Sequence, residues 1–402
     1  MIGVPSLTER VVPSERLSAP GRLEVRSWEA RVAAVAKCAA EHATTVDASA
    51  CFPAEAVEAM REEGLLGAWI DPSLGGLGVS IEQIAWACGE IGQRCASSAM
   101  VFAMHQIQVG SLARHAGGAD WWTARLREIA TTQRLIASAT SEVGVGGDLR
   151  SSKCAVQLDG LVGSLTKQAP VISYGLEADD VLASARRSDD APPGDQQLVL
   201  LRRGEYVLEQ TSRWEALGMR GTCSHGFTLN ARFPSEAVVP EAFARIATET
   251  MVPVSHLLWA SVWLGVATDA VRRARTFARD DARKSGKTGG NVRLAHLVSR
   301  LHALRGAVHD ELREFSVRKD DADALGTMGY AIRINNLKVN ASEALVEIVQ
   351  GAMLVAGIAG YRTDTPVTLG RNLRDALGAL VMINNDRIVA ANASLLLASR
   401  ED

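Results

Sequence analysis

The spacing of apolar positions along this 402-residue chain changes character twice. From about Leu23 to His42, alanines and valines recur among spaced charges, which predicts a helix. Phe52-Pro53-Ala54-Glu55 opens a second helix, with proline at an early position, Val57 and Met60 inside it and Gly64 as the candidate C-cap. After the turn-rich loop Asp71-Pro72-Ser73-Leu74-Gly75-Gly76-Leu77-Gly78, Ser80 through Gln93 reads as a helix. The small apolar run from Cys95 to His115 predicts a packed one.

Between Leu135 and Pro240 the helical period gives way to short runs of strand formers: Leu135 to Thr140, Val181 to Ala185, Leu198 to Leu201 and Gly226 to Leu229. Gly, Asp and Pro turns separate them, which predicts a small antiparallel sheet or barrel. Helical periodicity then returns over roughly 246–283, 292–320, 328–357 and 370–398, the pattern of an antiparallel four-helix bundle. The fold class is therefore α+β, mainly α. A loose arm (1–22) precedes a helical domain (23–134), a central β domain (135–240) and the bundle (241–402).

Composition adds exclusions. A net charge of -3 gives no electrostatic case for nucleic acid or an anionic membrane surface. The longest strongly apolar run, Leu257 to Ala267, is too short to span a bilayer and predicts a buried core helix. No basic stretch followed by an apolar run opens the chain, and none of the six cysteines falls in a CxxC pair. Free thiols in a cytoplasmic protein, with no metal site, are the expectation.

Common enzyme signatures fail on single positions. Gly286-Lys287-Thr288 would be a phosphate loop, but its upstream glycine is Asp281. Gly144-x-Gly146 lacks its third glycine at Leu149, and Ser224 misses a nucleophile elbow because position 222 is Thr. His302 and His309 lie seven apart, better suited to a packed or solvated pair than to a metal.

The stretch around which the chain is organised is Ser141-Glu142-Val143-Gly144-Val145-Gly146-Gly147-Asp148, at the border of helices and strands. It is similar to the T-E-P-G-A-G-S-D turn of the acyl-CoA dehydrogenase superfamily. Leu217-Gly218-Met219-Arg220-Gly221-Thr222-Cys223-Ser224 resembles that family's L-G-M-R-G-T-x-S segment. Gly360-Tyr361 with Pro366 and Arg374-Asp375-Ala376 resembles its G-Y-x4-P…R-D-A stretch, and Phe52 to Gly78 its N-terminal signature. The matches run in the family's order from about residue 50 to the C-terminus.

The resemblance implies a flavin, FAD or FMN, between the β domain and the bundle. Thr140, Ser141, Gly146, Gly147, Ile172, Ser173, Arg283 and Asn385 are its implied contacts. It implies an acyl-CoA or acyl-carrier-protein substrate, an electron acceptor or flavin reductase, and a homodimer or homotetramer.

Several positions depart from the family. Its W-I-T reads Val171-Ile172-Ser173, its R-x-x-F-G segment reads Ala282-Arg283-Lys284-Ser285-Gly286, and its glutamine before Gly360-Tyr361 is Leu354. The usual catalytic glutamate is Ile383, and the alternative site on the first bundle helix is Ser255, followed by His256 in place of an arginine.

Without a base, removal of an α-proton loses roughly 10²–10⁴-fold in rate. His256 and Asp386 are the candidate replacements, and His105, on an apolar helix, is expected to be a core histidine. Three readings follow. The first is α,β-dehydrogenation of an acyl thioester with a non-standard base. The second is a monooxygenase of the same fold, which works through a flavin hydroperoxide and does not need the glutamate. The third is a degenerate subunit paired with an active homologue.

Overall fold

A computed structural model describes residues 26–146, 148–286 and 290–398. The arm expected over 1–22, Gly147, Lys287 and Thr288 lie outside the described residues.

Among the described residues five helices come first: α1 (Trp28–Ser49), α2 (Ala54–Glu62), α3 (Ile81–Gly92), α4 (Ala96–His115) and α5 (Asp120–Thr132). Local chemistry sets their ends. The Ser27 side chain accepts from the Ala30 N–H to start α1, and Ser80 with Gln83 forms a capping box for α3. α4 is buried over most of its length, as its small residues allow.

Seven strands follow among the described residues: β1 (Ile136–Ala139), β2 (Gln157–Asp159), β3 (Val162–Ile172), β4 (Asp180–Arg186), β5 (Gln196–Arg202), β6 (Tyr206–Ser212) and β7 (His225–Pro234). They make two sheets, β1-β4-β5 and β2-β3-β7-β6. The expected all-antiparallel arrangement needs one correction, because β1 pairs with β4 in parallel. β3, the longest strand, alternates exposed and buried positions with polar residues on its open face, so it lacks the apolar run that marks β4 and β5.

The C-terminal helices are α6 (Phe243–Ile246), α7 (Val252–Ser285), α8 (Val292–Arg318), α9 (Ala322–Leu325), α10 (Met328–Ala356), α11 (Ile358–Tyr361), α12 (Gly370–Val381) and α13 (Asn385–Ala398). α7 and α10 pack along each other, and α7 also covers α3 and α4. The helical stretch Phe243–Ser285 is long and apolar enough to cross a membrane. Yet 89% of its most apolar window is buried inside the protein, as a core helix requires.

The helix expected over 370–398 is instead two helices. The break falls at Ile383, whose φ of 49° is left-handed, a conformation rare for a β-branched residue. The following Asn384-Asn385-Asp386 run favours a turn, with the Asn384 side chain accepting from the Asp386 N–H at 2.8 Å.

Candidate functional site

The glycine turn is closed from beneath by Glu142. This buried carboxylate accepts from the Ser152 hydroxyl (2.7 Å), the Lys153 and Cys154 N–H groups (3.1 and 2.7 Å) and the Lys167 ammonium (3.3 Å). Burial alone would raise its pKa, but these donors outweigh it and hold the carboxyl below its ordinary value. Residues 143–151 are thus pinned at both ends. Within them Gly144 and Gly146 have φ of 82° and 60°, which glycine adopts without a steric penalty.

The turn lies against the end of β3. Ser141 Oγ donates to the Val171 carbonyl (3.0 Å) and the Val143 N–H to the Gln168 carbonyl (2.9 Å). Two of the sequence-derived flavin contacts, Ser141 and Ser173, therefore sit on neighbouring chain segments, and Thr140 adjoins Ser141. Ile172 is fully buried, backbone included, so this sequence-derived contact presents no exposed surface to a ligand.

Ser173 ends a chain of hydroxyls: Ser173 Oγ to Ser224 Oγ, 2.8 Å; Ser224 Oγ to Thr222 Oγ1, 2.8 Å; Thr222 Oγ1 to the Met219 carbonyl, 2.9 Å. Since the carbonyl can only accept, Thr222 donates to it, and the run of donors then leaves a lone pair on Ser173. Tyr174, at φ 43° and fully buried, anchors this corner through its hydroxyl to the Ile136 carbonyl (3.1 Å).

The segment 217–224 also joins the β domain to the bundle. The Met219 N–H donates to Asp375 Oδ1 (2.7 Å), Arg374 Nε donates to the Leu217 carbonyl (3.1 Å), and Arg374 pairs with Asp47 of α1. A side chain on Gly218 would put its Cβ 2.2 Å from the Arg374 carbonyl oxygen, so only glycine allows this approach. Burial pushes the Asp375 carboxyl up to about 6. Two motifs 150 residues apart in the chain thus meet at one seam.

The candidate bases lie on the bundle side. Ser255 donates to the Met251 carbonyl of its own helix. His256 is 3% exposed, donates through Nδ1 to the Ile334 carbonyl (3.2 Å) and has Trp259 beside it. Burial drives its pKa down to about 4, so it is a neutral and weak base at pH 7. Asp386 is exposed on the first turn of α13. Arg283 is exposed on the last turn of α7, paired with Asp280 at 3.9 Å. Among the described residues no hydrogen bond ties His256, Asp386 or Arg283 to the glycine turn.

Asn385, an implied flavin contact, is used inside the bundle instead. Its Oδ1 accepts from Lys338 (2.6 Å) and its Nδ2 donates to Ser342 Oγ (3.0 Å). Arg387, two residues on, reaches the turn, donating to the Gly146 carbonyl. His105 is the satisfied core histidine expected, contacting the Leu66 carbonyl (2.7 Å) and accepting from the Ile136 N–H (3.0 Å).

Lys338 was not singled out in the sequence. Its signal was a charge on the apolar face of α10, among Ile334, Leu337, Ala341 and Leu345. Among the described residues no group of three or more His, Cys, Asp or Glu side chains could hold a metal ion.

Comparison with known proteins fits this architecture. Residues 25–131 match the family model for the acyl-CoA dehydrogenase N-terminal domain, and residues 245–382 that for its C-terminal domain. The chain is 25% identical over 345 residues to the amino sugar nitrososynthase DnmZ of Streptomyces peucetius, covering 82% of each chain. It is 24% identical to cyclohex-1-ene-1-carbonyl-CoA dehydrogenase of Syntrophus aciditrophicus (strain SB), covering 90% of this chain and 86% of that one. The structure of KijD3 in complex with FMN and dTDP-3-amino-2,3,6-trideoxy-4-keto-3-methyl-D-glucose superposes with a TM-score of 0.78 at 20% identity, covering 97% of both chains.

Proposed function

Because the chain belongs to the acyl-CoA dehydrogenase family, we propose that it is a flavin-dependent oxidoreductase whose reaction is a mono-oxygenation. One observation carries this reading. Each place where a base for α-proton removal was sought lacks a buried carboxylate: Ile383 and Ser255 have no carboxylate, His256 is a buried imidazole with a pKa of about 4, and Asp386 is exposed to solvent. Oxygen transfer needs no such base. The reading is favoured too by the likeness to a nitrososynthase, whose name makes an amino sugar the first substrate to test.

The residues present fit a flavin through polar groups. Gly146 has open space where a Cβ would stand, and Thr140, Ser141 and Ser173 carry hydroxyls on two adjoining segments, Ser141 Oγ being bonded to the Val171 carbonyl. When bound, the flavin would pass two electrons to dioxygen, one atom entering the substrate and the other leaving as water, with a reduced nicotinamide or a flavin reductase restoring the electrons. The chain's own contribution is positional. Glu142 holds the turn closed, and the hydroxyl run behind Ser173 fixes one acceptor at its edge. The partly exposed Val171 provides a wall without an aromatic ring.

Dehydrogenation of an acyl-CoA or carrier-bound acyl group is the second reading, favoured by the wider coverage of the cyclohexene-carbonyl-CoA dehydrogenase. A homodimer or homotetramer suits both readings, since Leu354, Ile358 and Tyr361 leave an exposed apolar patch at the end of α10 and on α11.

The test begins with the visible spectrum of the purified protein with FAD or FMN, where oxidised flavin absorbs near ~450 nm. With reduced flavin supplied, oxygen uptake dependent on an amino sugar supports mono-oxygenation. Anaerobic bleaching by an acyl thioester would move the assignment to dehydrogenation. No flavin binding at all would favour a degenerate subunit.

A further inference from the structure

The residue at the position of the missing glutamate is held from behind by a buried cation. Lys338 is fully buried, and all three of its N–H groups are used: to the Ala379 carbonyl (3.2 Å), the Ile383 carbonyl (2.6 Å) and Asn385 Oδ1 (2.6 Å). The Ile383 carbonyl belongs to the left-handed break between α12 and α13, Asn385 opens α13, and the Ala379 carbonyl is one of the last of α12. A cation at that place meets the negative end of the helix dipole. The ammonium also lies 5.8 Å from the centre of the Trp263 ring. No carboxylate contacts it among the described residues.

A cation this deep is costly unless its position matters. What it holds is the segment from Ile383 to Arg387. Ile383 keeps a φ of 49° that a β-branched residue would relax from if its carbonyl were released. Arg387, four residues on, donates to the Gly146 carbonyl of the glycine turn. We propose that Lys338 is the positioning residue of the candidate site, fixing the α12–α13 break so that Arg387 closes the bundle against the glycine turn. The inference rests on the reading of that turn as the flavin's site.

Titration follows from the surroundings. Burial lowers Lys338 to about 8, with Glu343 of the same helix pulling the other way; His256 of α7 is neutral, and α12 and α13 present carbonyls and the Asn385 amide. Above that pH the amine keeps two hydrogens and loses its charge, so the break loosens and flavin binding weakens.

The experiment measures FMN and FAD dissociation constants of the full chain from pH 7 to 9.5 by flavin fluorescence. The wild type should weaken through pH 8. Lys338→Met, which removes all three hydrogen bonds that hold the segment, should bind about tenfold more weakly at pH 7 and show no such limb. Asn385→Asp would place a carboxylate beside the ammonium and move the limb up by about one pH unit or more. A folded Lys338→Met protein with wild-type affinity and the wild-type limb overturns the proposal.

If the wild type binds neither flavin, the flavin reading fails by itself. Hydrogen exchange of residues 382–387 at pH 7 then decides the positioning role. Faster exchange in Lys338→Met upholds it, and unchanged exchange overturns it.

Discussion

Replacing Ile383 with glutamate asks directly whether the family's active-site frame survives. The backbone there is held by the bond from Lys338 to the Ile383 carbonyl, so the new side chain should start from the same Cα position. Ile383 is 47% exposed, so a carboxylate needs no buried room, and an unbranched residue relieves part of the strain at φ 49°. The variant should therefore fold.

A well-placed general base is worth about 10²–10⁴-fold. Here the Lys338 cation would depress it. At roughly 6 Å and an effective dielectric of about 20, the attraction is about 3 kcal/mol, or about two pKa units. A weaker base gives up about tenfold, leaving an expected gain of roughly 10–10³-fold. The assay is the anaerobic bleaching of the flavin band by a short acyl-CoA, with Ile383→Gln as the control for shape. Equal bleaching rates for the glutamate and glutamine variants, both flavin-loaded, would refute the reasoning and mean that residue 383 does not face the substrate.

Other outcomes follow from the buried polar groups. His105 and His256 each have a folded pKa of about 4, below the ordinary 6.5, so the unfolded chain takes up protons first as the pH falls. Their contribution is complete above 6.5 and is lost toward 4, about 3 kcal/mol for each, which urea unfolding at pH 7 and 4.5 would register. An unchanged midpoint would mean that the imidazoles are not sealed. Glu142→Gln leaves Lys167 without its counter-charge and should cost about 3–5 kcal/mol, with protease cleavage of the 143–151 loop as the local readout. Ser224→Ala interrupts the hydroxyl run and frees Ser173, and should weaken flavin binding by about threefold to tenfold in a fluorescence titration. Affinity unchanged by that substitution would remove Ser173 from the site.

The helices and their order were determined by the sequence itself, because their signals are local. The capping box at Ser80, the period of α7 and the glycines of the turn act within a few residues of where they stand. The loss of the glutamate at Ile383 was legible in the same way, by counting on from Arg374-Asp375-Ala376.

What only the tertiary structure decided is which polar group meets which. β3 and β6 carry too few apolar residues to announce themselves, and they form because β7 lies between them. Asn385 turned inward to Lys338, and His256 lost its basicity to burial between α7 and α10. The partners of Lys338 lie 41 to 47 residues away, and Asp375 is 156 from Met219. The free energy of a buried charge or hydroxyl depends on such distant neighbours and on exclusion of water, and neither is written in the period of a helix or the composition of a turn.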